Sequence, residues 1–456
     1  MNTFEVMPTE KNLLEMLQKD VVKRNEDLVA FYHLLQAQEA NSSIAIDGRW
    51  GSGKTFFVKH MVMLIDALNP RCEMGEDKRK KVTNCLHMPS SDGQNDQDSF
   101  FAIYYDAWKI DNDITPIFSI IYEIMKQLGI KYDFSDLNFF DCGTAILEII
   151  KGWNVEKLID RLKGEDPLSS LKEQDELDSK IRIFFQDILK ERGNRLIVFI
   201  DELDRCKPSF AVKLLEQIKH YLNMDNITFV FSVNINELEH TIKNYYGNSF
   251  DACRYLDRFF DWQMGLTSVD LNLFLDDMGL GNSYFVDKLC RKFMKKYHFE
   301  MRDASRFYCQ VKAAVYSATH NTNRTDFQYE DGLGRKVILT YFVPIIIGLR
   351  IVDSNAYHEF IDGNNAQIFI DICDSDLVTD YYIKQFLDAD ETTTESESQK
   401  KYVSREDVLR RVYETVMETS YNAYGKRVGS VDFGYDPKKL AIRASNMMSP
   451  YADMDI

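Results

Sequence analysis

Apolar residues recur at helical spacing in "LLEMLQKDVVKRNEDLVAFYHLL", within residues 8–40, and predict one or two amphipathic helices ahead of the first strand. The period then changes. "SIAI" at 43–46 is a short β-branched strand, and "KTFFVKHMVMLIDAL" from residue 54 returns to helical spacing. "SFFAIYYDAW" at 99–108 predicts a second strand, and "TPIFSIIYEIMKQL" a helix with Pro116 early in it. "RLIVFIDELDR" at 195–205 opens as a third strand, apolar on both faces as buried parallel strands are. "PSFAVKLLEQIKHYL" is the next helix, and "ITFVFSVN" at 227–234 a fourth strand. Strands alternating with helices mean βαβ units and a parallel sheet, in which ligands bind beyond the carboxyl ends of the strands. From about residue 268 the pattern is helical almost throughout.

Polar stretches interrupt this frame. Residues 71–98, with "KRKK" as a solvated run, predict a loop or a partly disordered insertion. Residues 130–193 read as mostly helical with polar breaks. "DADETTTESESQKK" at 388–401 predicts a mobile acidic loop, and the tail after about 430 an irregular segment. The greasy run "VILTYFVPIIIGL" at 337–349 is too short to cross a bilayer and carries Pro344, so it predicts a buried helix with a kink or break.

A chain of 456 residues is too long for one core. The expected division is N-terminal helices packing on the core at 1–40, an α/β domain at 41–267 with insertions near 71–98 and 130–193, and a helical domain at 268–456. The net charge of −17 argues against broad, sequence-blind nucleic-acid binding. The eight cysteines are scattered without C-x₂-C spacing, and the polar start "MNTFEVMPTEKN" is no signal peptide, so a reducing cytoplasm is expected.

Chemistry concentrates at two strand ends. Gly48-x₄-Gly53-Lys54-Thr55 follows the first strand and opens a helix. Phosphate oxygens need several backbone N–H groups aimed inward, which demands close approach and unusual dihedrals, and the helix N-terminus adds its dipole. Gly48, Trp50, Gly51, Ser52, Gly53, Lys54 and Thr55 therefore form a candidate nucleotide cradle. Lys54 would reach the β/γ-phosphates, and the Thr55 hydroxyl would ligate Mg²⁺. "LIVFIDELDR" ends the buried strand in carboxylates, which is costly unless a cation is near. Asp201 is placed to hold Mg²⁺ and Glu202 to act as general base toward water. Asp204 and Arg205 either pair locally or face the nucleotide or a neighbouring subunit. Asn234, closing the fourth strand, either touches the γ-phosphate or lytic water or simply caps the strand.

Together "GRWGSGKT", "YYDAWKID", "VFIDELDRCKPSFAVKLLEQIKHYL", "FVFSVNINELEHTI", "RYLDRFF" and "MRDASRF" resemble the KAP family of P-loop NTPases. The resemblance implies an α/β fold, a P-loop NTPase parallel sheet with an additional strand between the phosphate-loop and acidic strands. Helices flank that sheet, and a mostly α-helical C-terminal domain follows. It implies an ATPase using ATP and Mg²⁺, whose relatives include animal membrane signalling scaffolds and bacterial proteins that exclude phage. By position, Arg258 in "YLDR" resembles an arginine finger toward another subunit, and Arg302 in "RDASRF" a sensor arginine. Many relatives carry transmembrane helices before the acidic strand, and this chain has none. Many have Asp where it has Glu202 and Asn234. The leading expectation is an ATPase driving a conformational or assembly switch in bacterial defence or stress, as a homo-oligomer or with a partner effector. A nucleotide-occupied scaffold and a kinase-type phosphotransferase are the alternatives.

Overall fold

The computed structural model describes residues 7–38, 42–88, 99–111, 116–128, 181–182, 184–221, 226–267, 269–281, 284–315, 332–393, 400–419 and 425–446. The chain divides into two units, Met7–Ser268 and Val269–Ile456, the latter taking Met1–Val6 with it.

Five strands build the first unit: β1 (Ser42–Asp47), β2 (Phe100–Asp106), β3 (Arg195–Asp201), β4 (Ile227–Val233) and β5 (Trp262–Gly265). Their order is β2-β3-β4-β1-β5, with every neighbouring pair parallel. β4 thus lies between the strand that leads into the phosphate loop and the strand that ends in carboxylates. All seven residues of β3 and all seven of β4 are buried, because both faces are covered. Ile197 and Phe199 face one core with Ile44, Ile46 and Val230. Leu196, Val198 and Ile200 face the other with Ile103, Phe229 and Phe231.

Helices α1 (Glu10–Lys19), α2 (Asn25–Ala37), α3 (Lys54–Leu68) and α4 (Glu76–Cys85) cover the first face. Helices α5 (Pro116–Gln127), α6 (Pro208–Tyr221), α7 (Ile235–Tyr246) and α8 (Ala252–Leu256) cover the second. The hydrophobic pattern finds four strands and misses β5. That strand is four residues long, is mostly exposed and pairs with a described strand on one side only, so it carries no apolar signature.

The 71–98 segment departs from the expected loop, since α4 occupies its middle. Arg79 of the "KRKK" run is buried rather than solvated. Its guanidinium donates to the carbonyls of Ala67 at 2.6 Å in the last turn of α3, and of Asn69 at 2.9 Å and Cys72 at 3.0 Å just beyond it. Residues 89–98 and 129–180 lie outside the described residues.

His60 ties α1 to α3. Its Nε2 donates to the Leu13 carbonyl at 2.9 Å, which fixes the neutral tautomer. Burial pulls its pKa down to about 4, against a small opposing pull from that hydrogen bond. The unfolded chain therefore takes up the proton first, near pH 6.5. Stability is full above that value and falls as pH drops toward 4, by about 2 kcal/mol at pH 5 from this group. Urea unfolding at pH 7 and pH 5 should show a smaller acid loss in His60→Leu than in wild type. Equal losses would refute the assignment.

The second unit is helical, with two small two-stranded sheets, Glu391–Thr392 with Lys401–Tyr402 and Arg427–Val428 with Val431–Asp432. The greasy run is a buried π turn, Ile338–Phe342, continuing into helix Val343–Val352 with Pro344 in its first turn. Gly348 allows that helix to sit against Phe293, where a Cβ would lie 2.3 Å from the ring. No helix among the described residues is long and apolar enough to cross a membrane. The tail after 430 is not irregular throughout. Helix Pro437–Ser445 is started by Asp436, which accepts from the Lys439 N–H at 3.0 Å, and it buries Ala441 and Ala444. Residues 394–399 of the acidic stretch lie outside the described residues.

Candidate nucleotide site

β1 ends at Asp47, and a tight arch carries the chain into α3. Gly51 and Gly53 adopt φ of +84° and +91°, which side chains resist. At Gly48 a Cβ would sit 2.8 Å from the Ser52 hydroxyl. The Gly48 N–H donates to the Val233 carbonyl at 3.2 Å, and Asp47 accepts from the Ile235 N–H at 2.9 Å, so the arch is pinned to the end of β4 and the start of α7. Thr55 lies in the first turn of α3, where orphan N–H groups and the helix dipole favour an anion.

Lys54 is buried, and its Nζ donates to the carbonyls of Gly48 and Arg49. Burial pulls its pKa down, and the charges of Asp204, Asp201 and Asp47 pull it back. Loop and acidic strand therefore form one electrostatic cluster. Ser52 Oγ is buried with no hydrogen-bond partner among the described residues, as a polar atom that a phosphate oxygen would satisfy.

The sheet order sets the spacing of that cluster. One strand intervenes between β1 and β3, so their carboxyl ends stand about 10 Å apart. Asp201 is almost fully buried. It accepts from Ser232 Oγ at 2.7 Å, the Glu202 N–H at 3.1 Å and the Tyr104 hydroxyl at 3.0 Å. Burial, then the charge of Asp201, pushes the Tyr104 pKa up, so the phenol remains a donor. Neutral donors thus orient the carboxylate, and it has no ion pair among the described residues.

Glu202 sits in the left-handed region at φ +62°. Its carboxylate lies 2.7 Å from Arg205 Nη1, as a charge contact rather than an aligned hydrogen bond. Burial raises its pKa, Arg205 opposes, and Asp201, Asp106 and Asp204 add to the rise. A raised carboxylate is a better base than an ordinary glutamate at neutral pH.

Of the readings for Asp204 and Arg205, local pairing describes Arg205 alone. Arg205 pairs with Glu202, and Asp204 accepts from the Trp50 indole N–H at 2.6 Å. That bond makes Trp50 a strut between the phosphate loop and the turn after β3. Asn234 ends β4 and precedes α7, between the two strands that carry the site. Its carbonyl accepts from the Leu238 N–H, and its carboxamide has no hydrogen bond with a described residue.

Arg258 is not at this edge. The carbonyl of Phe259 accepts from the Ser43 hydroxyl, at the opposite end of β1. The length of β1 places Arg258 about 17 Å from the loop edge. Its side chain is exposed, with no ion pair among the described residues. Arg302 lies exposed in the first turn of helix Met301–Val315, in the second unit.

Three contributors escape sequence reading. Arg24, buried between α1 and α2, donates to the Ser52 carbonyl at 2.8 Å and the Thr267 carbonyl at 2.7 Å, bracing the loop from behind. Nothing local in the sequence marks it. Tyr104 and Ser232 leave fainter signs, as polar atoms in strands that are otherwise apolar.

Among the described residues no three His, Cys, Asp or Glu side chains could hold a metal alone. Mg²⁺ takes one or two protein oxygens and completes its shell with phosphates and water. The Thr55 hydroxyl and the oriented Asp201 carboxylate fit such a donor set.

The sequence profile described as KAP family P-loop domain matches residues 27–271, more than half of the chain. No curated protein matches it.

Proposed function

Because the chain belongs to the KAP family of P-loop NTPases, we propose that it binds ATP with Mg²⁺ and hydrolyses it to drive a conformational or assembly switch. Family membership implies nucleotide binding. Hydrolysis is supported by one observation above the others: a second carboxylate, Glu202, directly follows the buried, oriented Asp201 at the strand end facing the phosphate loop. In this reading the loop N–H groups and Lys54 hold the β- and γ-phosphates. Thr55 and Asp201 would hold Mg²⁺, which would supply charge neutralisation to the phosphates. Glu202 accepts the proton of the attacking water, and Asn234 orients that water.

Arg258 stands at the far end of β1 from its own loop, so the part proposed for it in hydrolysis is toward a second subunit. In GTPases an arginine supplied in trans raises the rate by about 10³–10⁵. The purified protein should release phosphate from ATP in Mg²⁺ and not in EDTA, with specific activity rising with protein concentration. Bound ATP without phosphate release at any concentration would leave the scaffold reading. Release that stays flat down to monomer would remove Arg258 from the mechanism.

The cellular role proposed is the one the family's bacterial branch suggests, phage exclusion with a separate effector. Hosts carrying wild type should plate phage less efficiently than hosts carrying Lys54→Ala, and equal plating would overturn the role.

A further inference from the structure

Arg205 is held by more than its ion pair. Its guanidinium lies 5.5 Å from the ring centroid of Trp50 and 5.7 Å from that of Trp108, both within cation–π range. Trp50 belongs to the phosphate loop and is fixed by Asp204. Trp108 opens the short turn Trp108–Ile110 after β2 and is 56% exposed. Three elements that converge on the site, the phosphate loop, the end of β2 and the end of β3, thus meet at one cation, whose charge contact falls on the candidate general base.

A base that takes a proton from water needs an oxygen free to face that water. The Arg205 contact turns Glu202 Oε2 toward the guanidinium, so in the resting protein that oxygen does not face an attacking water. The planar guanidinium keeps its two ring contacts without Glu202, so leaving the carboxylate does not strand an unpaired charge. One ring belongs to the phosphate loop, and the other is presented at the surface.

We infer that Arg205 is a positioning residue that restrains Glu202 in the resting protein, that Trp50 and Trp108 hold it there, and that displacing it sets the rate of turnover. The inference rests on the ATPase reading above and adds to it a control on the same site.

The test compares Arg205→Ala, Trp108→Ala and Trp108→Phe with wild type, in steady-state phosphate release and in calorimetry with a non-hydrolysable ATP analogue and Mg²⁺. Loss of one partly screened ion pair is an effect of about fivefold. Arg205→Ala and Trp108→Ala should raise kcat by that amount with analogue affinity unchanged, and Trp108→Phe, which keeps a ring, should return the wild-type rate. Adding Glu202→Gln to Arg205→Ala should abolish the gain, because the gain passes through Glu202. If Arg205→Ala does not fold, the exposed Trp108 pair decides alone. A fall in kcat would make Arg205 a direct participant, and an unchanged kcat would make the contact an ordinary ion pair. Either overturns the restraint while leaving the ATPase reading intact. Analogue binding with no turnover in wild type or any variant would instead remove the ATPase reading, and the restraint with it.

Discussion

Lys54→Ala should bind ATP about a hundredfold more weakly than wild type, the scale of truncating one partner of a buried charge pair. Lys54 is the buried cation of the loop, whereas Arg49, its basic neighbour there, is more accessible. Its ammonium folds onto the Gly48 and Arg49 carbonyls of the same arch. Truncation removes that charge and takes a donor from the Gly48 carbonyl, while the Arg49 carbonyl keeps the Ser52 N–H. Lys54→Met keeps the aliphatic stem and separates loss of charge from loss of packing. Calorimetry with Mg²⁺ reads the affinity, and circular dichroism confirms the fold. An unchanged dissociation constant in both variants would mean that the loop at 48–55 does not hold the phosphates.

Glu202→Gln should retain nucleotide affinity and lose about 10²–10⁴ in turnover, the range for removing one general base. The amide keeps the shape of the side chain and cannot take the proton of the attacking water. The wild-type pH profile carries a matching signature. The folded pKa is raised, so the active carboxylate is lost as pH falls through a value above that of an ordinary glutamate. The acid limb of kcat/KM, which reports the free enzyme, should lie correspondingly high and vanish with the substitution. A variant hydrolysing ATP at the wild-type rate would take Glu202 out of the mechanism.

The phosphate loop and the acidic strand were legible because their chemistry is local. Gly48 to Thr55 are contiguous, and the glycines are required by backbone geometry that any sequence neighbourhood would have to meet. "RLIVFID" has apolar residues on both faces, which only a covered parallel strand explains. The helices flanking the sheet carry the same kind of signal, a period set by the helix itself. α4 and the helix Pro437–Ser445 failed to register because their buried faces are small or polar: Val82, Thr83 and the capping Arg79 in one, alanines and Ser445 in the other.

By itself, then, the sequence determined the alternation of strand and helix, the glycine-rich arch ahead of α3 and the carboxylates at the end of β3, since each depends on residues close together in the chain. Only the tertiary structure decided that Arg24 braces Ser52 across 28 positions, and that Tyr104 and Ser232 orient Asp201. It also decided that Trp50 is tied to Asp204 and that Arg258 stands at the far end of β1. Those outcomes follow from strand order. Once β4 is inserted between β1 and β3, and β5 is added beyond β1, side chains distant in sequence share an edge. No local period encodes which edge that is, because strand order is set by the packing of all five strands at once.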